Sequence, residues 1–219
     1  MTSDPHGLRA LIVDYGGVLT NPVQDVFRAW AEADGLELEE LKVALAGMLG
    51  DETTAGPLHG LERGELSVAE FERRLASVLR RADGGEVVAA GLLSRAFATM
   101  RPVEGMTGMV RRAKQHGIRT GLLSNSWGLN YDRTGWDQLF DVLVISGETG
   151  LRKPEPEIYL LAAERLGVRP EECVFVDDLA PNVRGAVAVG MVGVHHTALT
   201  STVEELEALF GVALREPAA

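Results

Sequence analysis

Residues 11–18 read Leu-Ile-Val-Asp-Tyr-Gly-Gly-Val: three aliphatic side chains, then an aspartate, then two glycines within three residues. An apolar run with no polar alternation is the mark of a strand buried on both faces, as in a parallel sheet. Gly16 and Gly17 let the chain turn sharply after it and let backbone approach a ligand closely. Thr120 to Leu123, Val142 to Ile145, Val174-Phe175-Val176 and Met191 to Val194 repeat the apolar pattern. Helical spacing separates most of these runs. Pro154 to Leu166 puts Ile158, Leu161, Ala162 and Leu166 on one face, with Gly167 as a stop. Thr202 and Glu205 have the spacing of a capping box ahead of Leu206, Leu209 and Phe210. Strands alternating with helices predict an α/β fold, a doubly wound, Rossmann-like parallel sheet.

Residues 21–100 interrupt that rhythm with helix signals and no convincing strand. Asn21-Pro22 reads as a cap followed by proline at the first helical position, with Val23, Val26, Phe27 and Trp30 at helical spacing. Leu38 to Leu49 reads as a second helix. Ser67 and Glu70 predict a capped third, carrying Phe71, Leu75, Val78 and Leu79. Glu86 to Met100, with Leu92, Leu93, Ala96, Phe97 and Met100 on one side, reads as a fourth. The expected organisation is an α/β core formed by 1–20 and 101–219, with a helical-bundle insert over 21–100.

The 219 residues suit such a core plus insert, and an apolar fraction of 46% is ordinary for a globular protein. A formal charge of −11 argues against nucleic acid as a partner, because phosphate backbones need a basic face. No apolar run approaches the roughly 18 residues that span a bilayer, so no membrane role is expected. The first ten residues lack the charged head and apolar stretch of a signal peptide. The single cysteine, Cys173, cannot form an internal disulfide and is expected to be buried. Together these predict a soluble, cytoplasmic protein, monomer or homodimer. The tail from Arg215 to Ala219 is expected to fray.

Open α/β sheets bind ligands beyond the carboxyl ends of their strands. The first strand delivers Asp14 there, the second Ser124-Asn125-Ser126, and the fourth Asp177-Asp178 with Asn182 beyond. The loop after the third strand carries Lys153. Carboxylates at Asp14 and Asp178 suit Mg²⁺, a hard cation that prefers oxygen ligands. Mg²⁺ and Lys153 would neutralise phosphoryl oxygens and hold Asp14 ionised for nucleophilic attack. Taken singly, each residue has a plainer role: Asp14 a turn residue, Lys153 a solvated surface lysine. In this order, and all at strand ends, chance is a poor account.

Asp14 to Val18, Leu122 to Asn125, Lys153-Pro154 and Phe175 to Asp178 with Asn182 resemble the four motifs of the haloacid dehalogenase-like hydrolase superfamily. The resemblance spans the chain, and the helical insert looks like that family's C1 cap. Glu62-Arg63-Gly64-Glu65-Leu66-Ser67, with Phe71 beyond, is similar to the cap of the subgroup containing the soluble epoxide hydrolase phosphatase domain and bacterial sugar phosphatases. The resemblance implies that Asp14 is a nucleophile forming an aspartyl-phosphate, that Ser124 binds the phosphoryl group and that Lys153 stabilises it. It implies Mg²⁺ ligation by Asp14, Asp178 and the Gly16 carbonyl, supported by Asp177 and Asn182. Asn125, Gly17, Trp127, Arg63 and His59 are the expected substrate contacts. Arg63 is the candidate for a second anionic group, and Trp127 and Tyr131 either wall the pocket or pack. The implied substrate is a small phosphorylated metabolite, a sugar phosphate or similar ester.

One position departs from the family pattern. Phosphatases of this family carry a second aspartate two residues after the nucleophile, which protonates the leaving group and activates water; here that residue is Gly16. General acid–base catalysis is typically worth about 10²–10⁴-fold. Glycine also stands there in the bacterial sugar phosphatase subgroup, which favours a phosphatase using easy leaving groups or a substitute such as water, His59 or Glu62. A dehalogenase would need no such acid, but those relatives work without metal and lack the paired Asp177-Asp178. A non-catalytic member, binding a phosphate ligand or a protein, is the remaining alternative. Gly147 to Lys153 lacks the ending of a P-loop, and adjacent His195-His196 on a strand point to opposite faces and chelate poorly.

Overall fold

The computed structural model describes residues 7–50, 56–128 and 131–216. Five parallel strands form its sheet: β1 (Ala10–Val13), β2 (Arg119–Ser124), β3 (Val142–Ile145), β4 (Cys173–Asp177) and β5 (Val192–His195). Their spatial order is β3-β2-β1-β4-β5, so the chain builds one half outward from β1 and then crosses to build the other. The insert between β1 and β2 contains α1 (Val23–Asp34), α2 (Leu38–Leu49), α3 (Pro57–Glu62), α4 (Val68–Val78) and α5 (Leu92–Phe97). The remaining helices are α6 (Glu104–Gln115), the single turn α7 (Ser146–Thr149), α8 (Pro156–Leu166), α9 (Ala180–Ala188) and α10 (Leu199–Phe210).

Alternation along β1 explains why its residues are all apolar. Leu11 and Val13 pack on one face against Met106 and Met109 of α6 and Leu206 and Phe210 of α10. Ala10 and Ile12 pack on the other against Ile158 and Tyr159 of α8 and Ala186 of α9. The insert has a separate core around Trp30, Leu41, Phe71, Leu75 and Leu92. Two neighbouring strands of chain carry it: Thr20 bridges Pro102, and the Asn21 N–H donates to the Arg101 carbonyl at 3.0 Å.

Tertiary partners override several local helix signals. Asn21 does not cap α1; its side-chain oxygen accepts from the Arg101 N–H at 2.8 Å, and the helix starts after Pro22. Ser67 does cap α4, accepting from the Glu70 N–H at 3.3 Å. The helix expected over 86–100 shrinks to α5. Buried Glu72 caps it from α4, accepting from the N–H groups of Gly91 at 3.1 Å and Leu93 at 2.9 Å. The residues before it stay outside the helix, where the Val88 and Ala90 carbonyls accept from the Arg95 guanidinium. Helix α3 was too short to show a period. Thr202 lies inside α10, which starts at Leu199, and its hydroxyl is bonded to His196 Nδ1 at 2.8 Å instead of capping. Arg215 is anchored by Glu207, while the end of the expected frayed tail, 217–219, falls outside the described residues.

Candidate active site

The chain reverses its building direction beside β1, and the carboxyl ends of β1, β2 and β4 meet there, where such sheets bind ligands. Lys153 is 1% exposed and its Nζ donates to Asp14 Oδ1 at 2.6 Å and to Asp177 Oδ2 at 2.7 Å. Asn125, at the end of β2, aims it: its Oδ1 accepts from the Lys153 N–H at 2.9 Å, and its Nδ2 donates to the Lys153 carbonyl at 3.1 Å. Both ends of the Asn125 amide are thereby committed to backbone. Asp177 is fully engaged as well, accepting from the Leu179 N–H and from Asn182 Nδ2 besides Lys153.

Asp14, Asp177 and Asp178 bring carboxylate oxygens within 4.8 Å of one another. Three carboxylates against one ammonium leave a formal surplus of two negative charges. Burial raises Asp14 to about 7, with Asp177 and Asp178 adding to the rise and Lys153 opposing it. Lys153 opposes that rise without cancelling it, and Mg²⁺ is the other cation expected to hold Asp14 ionised. Burial and Asp177 likewise raise Asp178 to about 6. Burial would lower the Lys153 ammonium, but Asp14 and Asp177 reverse that and hold it above its ordinary value. The donor set fits a divalent cation: hard oxygens, a surplus matching its charge, and Asp14 and Asp178 less committed than Asp177. His195 does not compete, since its Nε2 contacts the Asp178 carbonyl at 2.9 Å.

The two glycines act differently. Gly17 has φ +77°, and a Cβ there would lie 2.4 Å from Asp178 Oδ2, so only glycine permits this approach. Its N–H donates to Thr20 Oγ1 at 3.1 Å and is not free for a ligand. Gly16 has space: an added Cβ would meet only Met100 Cε at 3.7 Å and Val23 Cγ2 at 3.9 Å.

Above the rim is a cavity of about 450 Å³, shared with the insert. Asp14, Gly16, Ser124, Asn125, Lys153, Asp178 and Asn182 border it from the core, and Trp127 and Tyr131 wall it. Ser124 Oγ lies 2.9 Å from the Tyr131 hydroxyl, which burial pushes up to about 12, so that it stays protonated. Among the described residues Gly17, Arg63 and His59 do not line the cavity. Arg63 is drawn away by Glu155 and by the Gly150 carbonyl at 3.0 Å. His59 follows Leu58, which with Glu62 forms the face of α3 on the cavity, and lies more than a quarter-turn round the helix. Glu62 does line it, but Arg152 Nε at 2.6 Å and Trp127 Nε1 at 3.2 Å hold its carboxylate.

Residues 8–190 match the haloacid dehalogenase-like hydrolase family. The chain belongs to that family. It is 30% identical over 210 residues to a sesquiterpene phosphatase of Aspergillus oryzae, covering 93% of this chain and 97% of the fungal one. It is 28% identical to bifunctional epoxide hydrolase 2 of mouse, over 95% of this chain but only 40% of the mouse protein. Two solved structures share the hydrolase fold at 20% identity. One, from Bacteroides thetaiotaomicron with magnesium and inorganic phosphate, gives a TM-score of 0.65 over 87% of this chain and 95% of that one. A dehalogenase gives 0.66 over 95% and 98%, so fold alone does not separate the two chemistries.

Arg152 was not anticipated from the sequence of this hydrolase, nor were Val26, Leu45 and Leu58 as cavity residues. Arg152 directly precedes Lys153, which was a usable signal. The apolar residues carried none, since their spacing equally suits a helix core.

Proposed function

We propose that this hydrolase is a Mg²⁺-dependent phosphatase of small phosphate monoesters, working through an aspartyl-phosphate on Asp14. The carrying observation is the buried Lys153 bridging Asp14 and Asp177 beside Asp178, with a negative surplus that a divalent cation would balance. The phosphatases among its relatives support the same reaction. Asp14, Asp178 and the Gly16 carbonyl would hold Mg²⁺, which when bound supplies charge stabilisation for phosphoryl oxygens.

In this reading an Asp14 oxygen attacks phosphorus, the phosphorus–oxygen bond to the alcohol breaks, and the alcohol leaves with a proton from water. A second water then cleaves the aspartyl-phosphate. Lys153 and the Ser124 hydroxyl stabilise the phosphoryl oxygens, and Asn125 keeps Lys153 in place. Tyr131, protonated and bonded to Ser124, orients that hydroxyl. Because Gly16 supplies no acid side chain, protonation of the leaving alcohol falls to that water. The paired Asp177-Asp178 disfavours the dehalogenase alternative. No helix among the described residues is long and apolar enough to cross a membrane, which goes with a cytoplasmic enzyme acting on a small metabolite.

Phosphate release from a panel of esters, with Mg²⁺ and with EDTA, tests this. Metal-dependent release that Asp14→Asn abolishes is the expected result. Wild-type activity in Asp14→Asn would remove Asp14 as nucleophile, and no release from any ester would favour a non-catalytic binding role.

A further inference from the structure

We infer that the alcohol portion of the substrate is apolar, so that this enzyme takes phosphate monoesters of aliphatic alcohols in preference to sugar phosphates. The inference rests on the phosphatase reading and names the substrate class of the same site. The cavity that begins at Asp14, Ser124 and Lys153 continues into the insert between Val26 and Phe27 of α1, Leu45 and Leu49 of α2, Leu58 of α3 and Phe97 of α5. Trp127 closes one side, stacked on Phe27 at 6.2 Å and edge-on to Phe97 at 5.8 Å. The volume of about 450 Å³ lies within the usual range for small-molecule sites.

Polar partners for a sugar are scarce there. Among the described lining residues every cation is already paired: Lys42 with Glu39 at 2.7 Å, Arg152 with Glu62 at 2.6 Å, and Lys153 with the rim carboxylates. The Trp127 N–H is held by Glu62, and the amides of Asn125 and Asn182 are used on Lys153 and Asp177. Gln24 is the other neutral amide on the lining, and it lies on the exposed side of α1. A buried hydroxyl without a partner weakens binding by about tenfold or more, and a sugar brings several. Gly16 completes the path, because an aspartate there would set a carboxylate between Asp14 and the apolar pair Met100 and Val23. Leu49 and Leu179 at the mouth remain 42% and 52% exposed, surface that an apolar ligand would cover.

The test is a chain-length series from methyl to octyl: alkylphosphonates for binding by calorimetry in Mg²⁺, and the matching alkyl phosphates for turnover beside glycerol phosphate and a hexose 6-phosphate, which share the primary-alcohol leaving group. Affinity is expected to rise by up to about fourfold per methylene, with kcat/KM following it, and Phe27→Ala should flatten the slope. Affinity independent of chain length, a slope unaltered in Phe27→Ala, or hexose phosphate hydrolysed better than octyl phosphate would each overturn the inference. A steep binding series with no turnover of any ester would keep the apolar subsite and remove the phosphatase reading instead.

Discussion

The sheet rim and the helical insert form opposite ends of one cavity, and they are held together by different forces. At the rim, Asp14, Lys153, Asp177 and Asn182 form a chain of short polar contacts, each group gripped by the next and anchored to strand ends. In the insert, the lining is a set of apolar side chains, of which Leu45 and Leu58 also belong to the core around Trp30 and Phe71. Charge and geometry are narrowly determined at the rim, since a displaced carboxylate there loses both partner and cation. The insert end needs only shape and apolarity, so it can vary in sequence while the rim cannot. The two ends accordingly answer different questions: which bond is broken, and which molecule carries it.

Removing the cation that holds the rim together is the strongest way to break this contrast. In Lys153→Met, Asp14 and Asp177 face each other without the ammonium between them. Breaking one partner out of a buried ion pair costs about 3–5 kcal/mol, which should appear as a lowered urea midpoint together with loss of turnover. An unchanged midpoint would mean that the rim is held by packing, as the insert is, and the distinction would fail.

The same contrast explains what could be read from the sequence. Asp14, Ser124 and Asp178 stood out because continuous apolar runs locate strand ends, and strand direction puts those ends on one edge; Lys153, in the loop beyond β3 and α7, stood out only beside them. The insert was legible as helices, but its inner organisation was not. Glu72, at the N-terminus of α5, comes from another helix, and nothing near Gly91 announces it. Asn21 and Thr202 carried correct local capping signals that Arg101 and His196 outcompeted. Val26 and Leu45 are buried as well as bordering the cavity, so no spacing could tell a cavity wall from a core. Arg63 had the chemistry of a pocket cation, and only the position of Glu155 decided otherwise.

Gly16 lies where the two ends meet, and restoring the family's aspartate there sharpens the comparison. Its φ is not in the left-handed region, and a Cβ would make only ordinary contacts with Met100 and Val23. Gly16→Asp should therefore fold, and it should raise turnover of esters with poor leaving groups by about 10²–10⁴-fold. Esters with good leaving groups should gain little, and long-chain esters should bind less well because the neck becomes charged. A uniform change across all esters would mean that leaving-group protonation is not what the glycine removed.

The smallest effect distinguishes the ends by pH and metal. Asp14 and Asp178 titrate near 7 and 6 in the folded protein against an ordinary value of 3.8. The native state therefore binds more protons than the unfolded chain between about pH 4 and pH 7. The stability these two groups contribute is fully present below pH 4 and is lost as pH rises through 7, where both are charged and crowded. Mg²⁺ binds the deprotonated pair, so its stabilisation should grow through that same window. At a concentration a hundred times its Kd it should add about 2.7 kcal/mol at pH 8 and far less at pH 5.5, read from melting curves with and without the ion. The insert core has no titrating cluster of this kind among the described residues, so local exchange protection of α1 and α4 should follow neither pH nor metal once global stability is allowed for. Equal Mg²⁺ effects at both pH values would show that the ion stabilises the protein elsewhere than at Asp14 and Asp178.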